Sequence, residues 1–177
     1  LQIIFEDTDI EIRRKHISCW TGIELNELSK NKEKILKKLS ELKNEGKFAE
    51  GRLYIRRFPS DSTTINKIKI FVKRQISLGF KPDIIILDYF DCVIPNRKID
   101  DVNVGEGTVI RSFESMLYEF NIVGWVGIQG NRGSISADIV QLDKMGGSIK
   151  RAQVGHLVIS ISKSLQQKEL GLATIAI

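Results

Sequence analysis

Apolar residues fall in short runs bounded by polar clusters along most of the chain, and their spacing switches between a strand-like and a helix-like period. L-Q-I-I-F-E, from Leu1 to Glu6, predicts a strand ending on an acid, and Asp9 to Trp20 predicts the helix that follows. Lys30 to Asn44 predicts a second helix, with Ile35, Leu39 and Leu42 at helical spacing. Gly46 and Gly51 bracket a break, after which R-L-Y-I-R-R-F, from Arg52 to Phe58, predicts a short strand with basic flanks. In P-S-D-S-T-T, Asp61, Ser62 and Thr63 are candidate N-caps for a helix whose stripe is Ile65, Ile68, Val72 and Ile76. That helix delivers the chain to K-P-D-I-I-I-L-D-Y-F-D, Lys81 to Asp91. Its aliphatic run, introduced by Pro82 and ending at Asp88, predicts a strand buried on both faces.

Polar Asn96 to Gly107 predicts an exposed loop, and Val109, Phe113, Leu117 and Phe120 predict one face of a helix. N-I-V-G-W-V-G-I-Q predicts a strand closing on Gln129, and His156 to Ser162 and Gly171 to Ile177 predict two more. Strands alternating with helices imply an α/β fold with a mostly parallel, helix-covered sheet. No repeat, low-complexity segment or internal boundary interrupts it, so residues 1–177 are expected to form one domain.

Composition narrows this picture only slightly. A chain of 177 residues with 42% hydrophobic content can bury a substantial core. No apolar stretch is long enough to span a bilayer and no signal peptide is evident, so a soluble, cytoplasmic protein without membrane contact is expected. Cys19 and Cys92 share no metal-type spacing with each other or with His16 and His156, which predicts free thiols. Trp20 and Trp125 read as core residues, since no second aromatic accompanies either at a useful spacing. The net charge of +5 suits a polyanionic partner without establishing one, and much of the excess lies on the Asn31 to Lys43 segment, an ordinary solvated helix face. Leu1 opens and Ile177 closes inside apolar strands, which predicts a fragment of a larger protein.

The chemistry concentrates where strands should end. In open α/β sheets ligands bind at the carboxyl ends of strands, so Asp88 either holds a metal and orients water or caps the following turn. Glu6 and Gln129 recur at equivalent places, with an N-cap or strand-end acid and a turn hydrogen bond as their plainer readings. A receiver domain is excluded because several helices and an extra strand separate Glu6 from Asp88 and no lysine follows a late strand in the required place. Phosphoryl transfer to water needs a magnesium-side acid, a carboxylate to activate the water and a polar group that senses the γ-phosphate. Asp88, Glu6 and Gln129 have that chemistry in that order.

In order, spacing and surrounding words, the chain resembles the DnaB-type hexameric replicative helicases and their phage relatives, which are built on a RecA-like P-loop ATPase fold. I-I-F-E-D is similar to the family's S-L-E-M strand, which implies Glu6 as catalytic base. I-I-I-L-D-Y-F is similar to the Walker B strand, implying Asp88 as the magnesium-side acid. V-G-I-Q-G-N-R-G-S resembles S-Q-L-N-R-S, implying Gln129 as γ-phosphate sensor, with Asn131 and Arg132 retained and Arg132 at the nucleotide. K-M-G-G-S-I-K resembles the channel loop R-E-S-G-S-I-E, implying that Lys144 and Gly147 contact DNA; the plainer reading of Lys144 is a surface lysine.

The resemblance implies ATP and Mg2+ as cofactors, single-stranded DNA as partner, a six-membered ring of identical subunits, and a primase or helicase loader as a further partner. The chain departs from the family in lacking any G-x-x-x-x-G-K-[ST] and the basic K-x-R segment that supplies the arginine finger. Met145 stands where the family has an acid, and A-Q-V replaces D-A-D. A RecA-type recombinase or clock-type ATPase, or a degenerate ATPase domain acting as scaffold, are the alternatives.

Overall fold

The computed structural model describes residues 1–47, 51–130 and 154–177. They form two compact units, Leu1–Phe58 and Pro59–Ile177.

The first unit contains β1 (Gln2–Ile4), α1 (Asp9–Thr21), a 3-10 turn at Leu28–Lys30, α2 (Lys32–Asn44) and β2 (Ile55–Arg57). The strands pair in parallel with Gln2 opposite Ile55 and Ile4 opposite Arg57. Ile4, Ile12 and Ile55 form the buried cluster that joins strand and helix. Thr8 starts α1 through a reciprocal capping box with Glu11, and Gly22, at φ +66°, ends it. Ile35, Leu39 and Leu42 are half-buried, so α2 has the expected stripe but no fully buried residue.

The second unit contains β3 (Thr63–Thr64), α3 (Ile65–Ser77), β4 (Ile84–Asp88), a 3-10 turn at Phe90–Cys92, β5 (Val93–Ile94) and α4 (Val102–Phe120). It continues with β6 (Val123–Val126), β7 (Ser160–Ser162), α5 (Leu165–Glu169) and β8 (Thr174–Ala176). β3 pairs with β5 and β4 with β6 in parallel, whereas β7 and β8 are antiparallel. Ile68 and Val72 of α3, Ile85 and Leu87 of β4, and Phe113 and Met116 of α4 are buried and make its core. A mostly parallel sheet flanked by helices is the architecture that the strand-helix alternation predicts.

Several local expectations are corrected. β4 is buried on one face only: Ile85 and Leu87 are fully buried, but Ile84 and Ile86 are 44% and 38% exposed. The strand register puts Ile84 opposite Val123 and Ile86 opposite Trp125, so four apolar side chains share one face. That face stays accessible among the described residues, while Gly124 on the other is closed against Phe113 and Leu117 of α4. Neither tryptophan is core: Trp125 belongs to the accessible face, and Trp20, 41% exposed, stacks on His16 with ring centroids 5.3 Å apart.

The cap of α3 is Thr64, whose hydroxyl accepts from the Lys67 N–H, rather than Asp61, Ser62 or Thr63. Thr63 is committed elsewhere, since it is fully buried, pairs with Val93 and donates its hydroxyl to the Pro59 carbonyl. The expected loop at Asn96 to Gly107 ends earlier, because Asp101 caps α4 by accepting from the Val104 N–H. Gly105 permits that helix start: a Cβ there would lie 3.2 Å from Pro95 Cγ. The strand expected to close on Gln129 stops at Val126, three residues earlier. Among the described residues, no helix is long and apolar enough to cross a membrane. Cys19 and Cys92 are free thiols, as expected.

Candidate functional site

Glu6 occupies the link between β1 and α1. The β1–β2 ladder runs one bond beyond the strands, with the Phe58 N–H donating to the Ile4 carbonyl at 2.9 Å. Phe5 is buried, and Glu6 emerges exposed. Arg57 then reaches across: Nε donates to the Phe5 carbonyl at 3.4 Å and Nη2 to the Glu6 carbonyl at 3.2 Å. On the helix side, Lys15 pairs with Asp7, and the Thr8 N–H donates to Glu11 Oε2 at 2.9 Å. The Thr8 backbone and then its hydroxyl hold the Glu11 carboxyl below its usual value.

Asp88 is the last residue of β4 and is exposed. The parallel ladder continues past it, with the Gly127 N–H donating to the Leu87 carbonyl and the Phe90 N–H to the Gly127 carbonyl, both at 2.9 Å. Two residues further, the Gln129 N–H donates to Asp91 Oδ2 at 3.4 Å. Asp88 and Gln129 therefore leave the same parallel pair at its carboxyl end. The bonds to Gly127 hold the backbone on either side of Asp88, at Leu87 and Phe90, and the Asp91 carboxylate holds the backbone at Gln129. Arg132, Lys144 and Gly147 lie outside the described residues, as does Asn131.

A lone strand-end acid such as Asp88 fits a magnesium ion carried by a nucleotide. Among the described residues, no three or more His, Cys, Asp or Glu side chains cluster as a dedicated cage would require. Magnesium commonly keeps several waters and takes one or two carboxylates together with substrate phosphates, which a single exposed strand-end Asp satisfies. Composition and spacing missed two residues at these strand ends, Arg57 and Asp91. Their signals were present only as basic flanks and as the last letter of D-Y-F-D; their partners lie 51 and 38 residues away.

The structure of a DnaB-like replicative helicase, described together with its interactions with primase, matches 95% of this chain with a TM-score of 0.73 and 16% identity. A second solved structure, that of an ATPase domain, matches 94% with a TM-score of 0.68, also at 16% identity. The chain has the RecA-like fold of replicative-helicase ATPase domains. It spans 41% and 60% of the lengths of those two proteins, respectively. No protein-family model and no curated protein matches the sequence. At 16% identity the likeness belongs to the backbone, and the residue roles rest on the strand-end geometry and the motifs.

Proposed function

We propose that this chain is part of the RecA-like motor domain of a DnaB-type replicative helicase, whose full-length protein hydrolyses ATP to move single-stranded DNA through a ring of six subunits. The observation that carries the reading is the joint emergence of Asp88 and Gln129 from the carboxyl end of one parallel strand pair, in a chain with this fold. That edge of an α/β sheet is where phosphates are handled, and an acid and an amide are the groups that hydrolysis requires there.

In this reading Asp88 would hold magnesium through its bound water, Gln129 would hydrogen-bond the γ-phosphate, Arg132 would contribute charge at the nucleotide, and Glu6 would take a proton from the water whose oxygen displaces ADP from the γ-phosphate. Magnesium bound with ATP neutralises charge on the β- and γ-phosphates. Lys144 and Gly147 belong to the loop that grips the DNA backbone, where contact with phosphates tolerates any sequence. A primase or loader is the expected protein partner. The sequence contains no G-x-x-x-x-G-K-[ST] motif, so hydrolysis in this reading depends on a phosphate-binding loop outside these 177 residues.

DNA-stimulated ATP hydrolysis and strand displacement by the full-length protein test this assignment. Asp88→Asn and Glu6→Gln should each lower turnover about a hundredfold or more while leaving the fold intact. Wild-type turnover in either variant would remove that residue from the chemistry.

A further inference from the structure

We infer that Arg57 is a positioning residue for Glu6, holding the backbone of the β1–α1 link from which the carboxylate projects. The inference rests on the catalytic role proposed above for Glu6 and adds a residue that neither the motifs nor the resemblance indicates.

The argument begins with where the sheet ladder stops. The Phe58 N–H to Ile4 carbonyl bond carries the β1–β2 ladder one step past the strands, and the next two carbonyls of the link, those of Phe5 and Glu6, accept from the Arg57 side chain. Arg57 is the register partner of Ile4, and its side chain leans along the strand to place Nε at the Phe5 carbonyl and Nη2 at the Glu6 carbonyl. A guanidinium is suited to this because its donors are held in one rigid plane, so two successive carbonyls can be fixed by a single side chain. Charged donors also strengthen such bonds relative to neutral ones.

The same link is secured on its other flank. Asp7 is tied to Lys15, and Thr8 is locked in the capping box that starts α1. Fixing the Glu6 carbonyl sets the peptide plane that follows it, and the buried Phe5 sets the one before. The exposed carboxylate of Glu6 is thereby presented from a backbone restrained on both sides. A general base held this way loses little orientational freedom when substrate arrives. The neighbouring Arg56 has a different task, since its guanidinium lies over the Phe58 ring, 5.8 Å from the centroid.

The test is a double-mutant cycle on steady-state ATP hydrolysis by the full-length protein. Arg57→Ala should lower kcat about tenfold and change the KM for ATP less than about twofold, because orientation rather than binding is lost. Arg57→Lys, which keeps the charge and stem but lacks the fork, should fall by a similar factor and guards against a folding defect in the alanine variant. Added to Glu6→Gln, Arg57→Ala should lower the residual rate less than about twofold, since its effect passes through the Glu6 carboxylate. A full multiplicative loss in the double variant would overturn the positioning role while leaving the function of Glu6 standing. So would unchanged kcat in Arg57→Ala or Arg57→Lys. Unchanged turnover in Glu6→Gln alone would overturn the role of Glu6 and this inference with it.

Discussion

Gly124 has room for a hydrogen and little more. A Cβ at this position would lie 2.2 Å from Leu117 Cδ1 and 3.0 Å from Phe113 Cε1, both on α4, so any side chain forces Leu117 to shift against its neighbours. Overpacking of a formed core costs about 1 to 3 kcal/mol. Gly124→Ala should therefore lower the denaturant midpoint by an amount in that range, and the double variant Gly124→Ala/Leu117→Ala should cost less than the sum of its parts; strict additivity would show that α4 does not press on β6 here. The residues of the candidate site divide by how local their signals are. The position of Asp88 was legible because the apolar run before it ends with its strand, whereas the run before Gln129 outlasts its strand, which stops at Val126. Arg57 and Asp91 were not legible, because their significance lies in bonds that cross 51 and 38 residues of sequence. A composition that marks Arg57 as basic says nothing about the carbonyls it meets.

For whole elements, the period of the apolar residues proved more informative than their number. The α2 and α3 helices lie close to their expected spans because a 3.6-residue stripe is a local property of the chain, whereas α1 is bounded by its capping box and Gly22. Strand lengths were overestimated: β1 and β2 are three residues each, since a strand ends where its partner ends, and the partner is remote in sequence. Burial of β4 on both faces was inferred from an unbroken aliphatic run, yet such a run cannot reveal which faces receive a helix. The alternation has a direct energetic consequence. Ile85→Ala removes a fully buried side chain and should destabilise by about 2 to 5 kcal/mol, whereas Ile86→Ala, from the accessible face, should cost less than half as much in the same measurement. Equal losses from equilibrium denaturation would mean that the outer face is covered in solution.

At the scale of the molecule, the likeness to replicative-helicase ATPase domains covers nearly the whole chain, and the net charge of +5 acquires a specific reading under the motor proposal. A motor that holds DNA through phosphates depends on counterion release, which makes its grip steeply sensitive to salt. In the full-length protein, Lys144→Ala should weaken single-stranded DNA binding about equally across sequences and flatten the dependence of log K on log salt by about 1. Filter binding through a salt series would measure it, and a loss confined to one sequence would take Lys144 out of the backbone-gripping loop.

The division of the chain also separates its two tryptophans, with Trp20 in Leu1–Phe58 and Trp125 in Pro59–Ile177. Each indole is partly exposed, one stacked on an imidazole and the other on an open sheet face. Replacing either one by phenylalanine leaves a single indole, which can be excited selectively over the tyrosines, so emission from the two single-tryptophan variants follows each unit by its own signal, without an attached dye.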